Sequence, residues 1–195
     1  MLLKAKSSSS SKDSAERVLI LDFGSQYTQV IARRIREASV YSEIVPHTIS
    51  AKEVRALRPK GIILSGGPAS VYSPKAPKMD REIFHLGIPL LGICYGMQLL
   101  VREFGGEVAR GTRREYGRGT LRRKRSCPLL DQLPGRLEIW NSHGDRVTRL
   151  PKGFQSVATT ENSPYAVVRK GEIYGLSFIR KFPTLRKGKK FSVTF

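Results

Sequence analysis

The sequence predicts an α/β fold: a central, mostly parallel sheet flanked by helices, followed by a β-rich C-terminal half. Three features of its 195 residues carry that prediction. Apolar runs of strand length alternate with segments of helical spacing from Val18 to Phe104, and parallel neighbours need such crossovers. Two of those runs end in small-residue turns, Asp22-Phe23-Gly24 and Ser65-Gly66-Gly67-Pro68. Beyond Glu107 the period changes to short strands and turns.

The elements follow in order. Residues 1–16 hold five consecutive serines, Ser7 to Ser11, and little apolar surface to bury, which predicts a disordered tail. Val18 to Leu21 is a strand, and Ser25 to Ala38 a helix with Val30, Ile31 and Ile35 at helical spacing. Val40 to Val45 is a second strand, Ser50 caps a short helix through Leu57, and Gly61 to Leu64 is a buried third strand. Asp80 to Leu86 is a short helix, Ile88 to Ile93 a fourth strand, and Tyr95 to Phe104 a helix. The later strands include Leu137 to Trp140, Ser156 to Thr159, Ala166 to Arg169 and Ile173 to Phe178.

Charge opens one competing function. Thirty-five Lys and Arg against 16 Asp and Glu give +19, a balance that attracts nucleic acid or anionic membranes. The excess is uneven. Arg110 to Arg125 holds eight cations and one acid and reads as a solvated hairpin between strands, with contact to a partner domain as the alternative. Ser177 to Phe195 holds six cations and no acid. No zinc-ligand spacing, recognition-helix signature or stacking aromatics accompany the charge, so a basic nucleic-acid-binding or non-catalytic interaction protein is the weaker reading. No apolar run approaches the roughly 18 residues of a membrane helix, and Met1 to Lys6 lacks the apolar stretch of a secretory signal. A cytoplasmic protein with reduced Cys94 and Cys127 is expected.

The most informative stretch is Pro89 to Gln98, where a buried strand runs into Cys94 and then a helix. This is the cysteine form of a nucleophile elbow. Its sharp turn needs small neighbours and lifts the side chain to the sheet's carboxyl edge. There a helix N-terminus favours thiolate, so the thiol pKa is expected below its reference of about 8.5. A buried structural thiol is the alternative. Cys127, before Pro128 in a loop, has no such setting. Attack on a carboxamide also needs oxyanion donors. The Tyr95 N–H is one candidate, and Gly66-Gly67-Pro68 at the end of the neighbouring strand offers another.

Four motifs in order resemble the class I glutamine amidotransferases, in the form found as the glutaminase domain of bacterial GMP synthase. They are Ile20 to Tyr27, Ser65 to Pro68, Gly92 to Gln98 and Ser142-His143-Gly144-Asp145, and the resemblance spans about Arg17 to Phe178. It implies a flavodoxin-like fold and a glutamine substrate, which Cys94 attacks to form a glutamyl thioester and release ammonia. It further implies Gly67 and Tyr95 as oxyanion donors, Gln98 as a glutamine contact, and Ser142, His143, Gly144 and Asp145 as the pocket's border. His143 is not assigned as a base. No cofactor is expected in this chain. ATP and Mg2+ would belong to an ATP pyrophosphatase domain or subunit that uses the ammonia to convert XMP to GMP, and no phosphate loop of Ser-Gly-Gly-Val-Asp type occurs here.

One departure from the family is large. A cysteine hydrolase needs a base, usually a histidine oriented by a carboxylate, and the family carries both on a His-Pro-Glu turn after its last core strand. Here Ile179, Arg180 and Lys181 follow Phe178, so the catalytic His and Glu are absent where they are expected, at Ile179 and Lys181. Restoring one nucleotide in the codon for Leu176 lets the shifted frame read Leu-Gln-Phe-His-Pro-Glu and continue as a family-like ending. The expectation is therefore a one-base deletion that leaves 179–195 as an aberrant basic tail and the pyrophosphatase domain absent. Resequencing the DNA tests this: codons that cannot yield a His-Pro-Glu frame end the idea. Loss of the usual final helix would bare apolar sheet at a cost of about 25 cal/mol per Å², so marginal stability is expected.

Overall fold

The computed structural model describes residues 16–178, with the side chains of 111–116 and 141–143 left aside. The predicted tail, save Glu16, and the basic stretch 179–195 with Ile179 and Lys181 lie outside the described residues. The first half alternates as expected: β1 (Arg17–Asp22), α1 (Thr28–Glu37), β2 (Tyr41–Pro46), α2 (Ala51–Leu57), β3 (Gly61–Leu64), a 3-10 turn (Arg81–His85), β4 (Leu90–Ile93) and α3 (Tyr95–Glu103). Then follow β5 (Glu107–Arg123), β6 (Arg136–Arg149), β7 (Gln155–Thr159), β8 (Val167–Lys170) and β9 (Ile173–Leu176).

All nine strands join one sheet in the order β2-β1-β3-β4-β9-β8-β7-β5-β6. The five from β2 to β9 run parallel, and the remaining pairings are antiparallel. Alternation along β1 divides the core in two: Leu19 and Leu21 join Ile62, Leu64, Leu90 and Leu100 on one face, while Val18 and Ile20 join Ile63, Leu91, Ile93 and Ile35 on the other. β3 and β4 are buried throughout, as the centre of a sheet covered on both sides requires.

Local chemistry sets the boundaries. Ser50 and Glu53 form a capping box, in which Ser50 Oγ accepts from the Glu53 N–H and the Glu53 carboxylate accepts from the Ser50 N–H. Asp80 accepts from the N–H groups of Ala51 and Glu82 at once, so one carboxylate caps α2 and the 3-10 turn. Those two bonds hold its pKa below the ordinary 3.8.

The second half corrects the hairpin expected at Arg110 to Arg125. That stretch lies almost wholly within β5, which pairs with β6 from Val108↔Val147 to Arg122↔Arg136. The reversal comes in the loop after Arg123, and Gly117 keeps its φ of 115° inside the strand. Arg122 and Arg123 also pair with Thr159 and Ala158 of β7, which anchors the ribbon to the sheet.

Candidate active site

Cys94 links β4 to α3 with φ 48° and ψ −104°, a conformation that costs a residue with a Cβ about 1–3 kcal/mol. The surroundings hold it there. Its N–H donates to Leu176 O on β9 at 2.7 Å, and its carbonyl accepts from the Gln98 N–H at 3.1 Å. The turn closes so tightly that a Cβ on Gly92 would stand 2.7 Å from the Gly96 backbone, and one on Gly96 would collide with Leu64 O. The Gly96 N–H donates to Ser65 O, tying the elbow to the end of β3.

Ser65, fully buried, joins two loops at the sheet's carboxyl edge. Its Oγ accepts from the Phe23 N–H and donates to Gly66 O. A Cβ on Gly66 would lie 3.6 Å from Cys94 Cβ, whereas one on Gly67 would press on Phe23 O at 2.6 Å. Tyr95 opens α3, where a first-turn N–H has no intrahelical acceptor.

Cys94, Gln98 and Asp145 meet around one pocket, which Met97, Arg146, Val147, Ser163 and Ser177 complete. Gln98 Nε2 donates to Asp145 O at 3.2 Å, and the Asp145 carboxylate accepts from Ser70 Oγ at 2.5 Å. Ser142, His143 and Gly144 precede Asp145 on β6, the first two opposite Tyr116 and Glu115; Gly144 is outside the pocket lining, and the side chains of Ser142 and His143 are outside the described ones. The empty space between these residues is about 250 Å3.

The thiol differs from expectation. It is 8% exposed and donates to Ser177 O at 3.5 Å, and burial pushes its pKa up to about 12. Loss of solvation outweighs the pull of the helix N-terminus, because among the described residues the pocket's lining offers no cation or imidazole to hold the anion except Arg146, itself exposed. His47 is engaged with Lys78 O and stacked on Phe23, and His85 faces Glu103. Ser177 was not singled out by sequence. Its carbonyl takes the thiol, while its own Oγ is buried without a partner among the described residues. Ser70 was missed too, since a serine two residues past a Gly-Gly-Pro turn carries no signal of its partner on β6. Among the described residues no group of three or more His, Cys, Asp or Glu could hold a metal, and no helix is long and apolar enough to cross a membrane.

A cysteine in a strained elbow at the carboxyl edge of a parallel sheet, faced by a glycine loop, defines the α/β proteins built around a nucleophile elbow. Within that class, the family model for class-I glutamine amidotransferases matches residues 19–178, and the chain belongs to that family. Proteins named GMP synthase [glutamine-hydrolyzing] from Nitratiruptor sp. and Bacillus cytotoxicus are 50% and 52% identical to it, over 91% and 86% of this chain. The chain spans about a third of the length of these curated relatives, 36% and 33%. Among solved structures, a Thermoplasma acidophilum protein described as one candidate component of a GMP synthase superimposes with a TM-score of 0.74 at 25% identity, covering 84% of this chain and 83% of that one. A Thermotoga maritima glutamine amidotransferase shares the fold, with a TM-score of 0.67 at 24% identity, over 85% and 76% of the two chains. These similarities do not favour the nucleic-acid reading.

Proposed function

We propose that the chain is a glutaminase domain of the GMP synthase type, with an assembled nucleophile and impaired turnover. The observation that carries this is the Cys94 elbow, packed against Gly66 and bordered by Gln98 and Asp145. In the proposed reaction Cys94 Sγ bonds to the side-chain carbonyl carbon of glutamine while the N–H groups of Tyr95 and Gly67 take the oxyanion. The C–N bond then breaks, the thiol proton leaves with ammonia, and water cleaves the glutamyl thioester to give glutamate and restore the thiol. Gln98 and the Ser142-to-Asp145 segment hold the substrate. The ammonia would pass to an ATP pyrophosphatase domain or subunit that aminates XMP to GMP, where ATP and Mg2+ would bind. The same reading implies a cytoplasmic location.

Turnover suffers because proton transfer has no assigned base. Ile179 and Lys181 stand where the family's His and Glu are expected, and a thiol with a pKa near 12 is almost wholly protonated at neutral pH. Incubation of the full chain with glutamine tests the reading, with ammonia release measured alongside the intact mass. Cys94-dependent ammonia or a glutamyl adduct, lost in Cys94→Ser, is expected. Absence of both overturns it.

A further inference from the structure

The walls of the Cys94 pocket are joined in a ring. Gly66 lies against Cys94 Cβ. Further along the same loop, Ser70 Oγ donates to Asp145 Oδ2 at 2.5 Å, and Asp145 O accepts from Gln98 Nε2 at 3.2 Å. The Gln98 N–H returns the ring to Cys94 O at 3.1 Å. A loop, a strand and a helix distant in sequence are thus fastened around one thiol, and the Ser70 hydroxyl closes the link between loop and strand. Two contacts beside it hold the same loop. The Tyr72 hydroxyl donates to Val108 O on β5, and Arg102 Nη1 donates to Val71 O at 2.5 Å with its guanidinium 5.0 Å from the Tyr72 ring centre.

We propose that Ser70 is a positioning residue, whose hydroxyl pins the Asp145 wall to the glycine loop and so sets the spacing of Gln98, Asp145 and Cys94 at which a glutamine-like ligand is held. Ser70 is not part of the pocket lining, so it acts through Asp145. At 2.5 Å the bond lies at the short end of the range for a hydroxyl donor. With alanine at this position the ring opens at its loop-to-strand link, while Cys94, its elbow and the main-chain bonds of Gly96 and Gln98 are untouched. The inference rests on the glutamine reading above.

The test uses the diazo-ketone analogue of glutamine on the full chain and needs no turnover. The thiol proton moves to the diazo carbon, nitrogen gas leaves, and an Sγ–C thioether forms. Labelling of Cys94 against analogue concentration separates binding (KI) from reaction (kinact). Ser70→Ala should raise KI about tenfold and leave kinact within about twofold, as loss of one hydrogen bond predicts. Ser70→Thr, which keeps the hydroxyl, should match the original chain within about twofold. Cys127, fully buried in the same apolar cluster as Cys94 but outside the pocket, reports on the fold: its reaction with iodoacetamide should be the same in all three chains. An unchanged KI in Ser70→Ala overturns the proposal. So does equal impairment of Ser70→Thr, or weaker labelling accompanied by faster Cys127 reaction, which would mark a merely structural role. An original chain whose Cys94 the analogue never labels overturns the glutamine reading itself.

Discussion

Cys94 Sγ donates to the carbonyl oxygen of Ser177 across 3.5 Å, so the elbow cysteine and the residue just past β9 line one pocket. The contact holds the protonated form of the thiol, since a thiolate has no proton to offer a carbonyl. Burial acts in the same direction and pushes the pKa up to about 12. Reactivity at this cysteine therefore depends on opening the pocket or on a base that takes the proton as attack begins.

The thiol makes stability fall at alkaline pH. Its ordinary pKa is 9.0 and its folded value about 12, so between those values the unfolded chain binds fewer protons than the folded one. The contribution is full below pH 9.0 and is lost as pH rises toward about 12. Urea melts of the full chain and of Cys94→Ala at pH 8 and pH 10 should converge as pH rises if the parent alone carries this loss. Alkylation of Cys94 in the folded chain should also climb through that range rather than level off near pH 9, and a plateau there would contradict the buried, protonated thiol.

Gly96→Ala should destabilise the chain by about 3 kcal/mol, the upper end of overpacking costs. A Cβ there meets Leu64 O and Leu64 Cβ, backbone and core rather than the end of a flexible side chain. Gly105→Ala is the control: it faces open space but has φ 86°, so its penalty is conformational, about 1 kcal/mol. Urea midpoints measure both, and equal losses would mean that close packing at the elbow is not what requires glycine.

Ser177→Ala should leave stability unchanged or raise it by about 1 kcal/mol, because it removes a buried hydroxyl that finds no partner among the described residues. The main-chain oxygen that accepts from Cys94 is kept. A loss above about 1 kcal/mol in a urea melt would show that the hydroxyl is satisfied.

Exchanging residues 177–195 for those of the shifted frame, which include His-Pro-Glu, should raise ammonia release from glutamine by about 100-fold or more, the ordinary contribution of a positioned general base. Equal rates in the two chains would show that the base was not what this chain lacked.

The sequence made the elbow legible because its information is local. A buried run into Cys94, with Gly92 and Gly96 spaced to let strand and helix touch, names the turn without reference to the rest of the fold. The Ser50 cap and the β3 and β4 strands were readable for the same reason. The ribbon was not. Arg110 to Arg125 reads as a solvated hairpin between strands, yet most of it lies in β5, which pairs with β6 on one side and, at its end, with β7 on the other. Likewise, nothing near Ser70 or Ser177 in the chain announces their partners, which are 75 and 83 residues away.

Local pattern and composition thus determined the α/β class, the Cys94 elbow and the glycine loop opposite it, whereas the missing His and Glu at Ile179 and Lys181 could be seen only against the family's motif. Tertiary structure alone decided that the thiol is buried and held protonated, and that Ser70 reaches Asp145 beside it. The physical reason is that propensity and periodicity are properties of neighbours along the chain, whereas desolvation and hydrogen-bond partnership belong to whatever the packed sheet brings near.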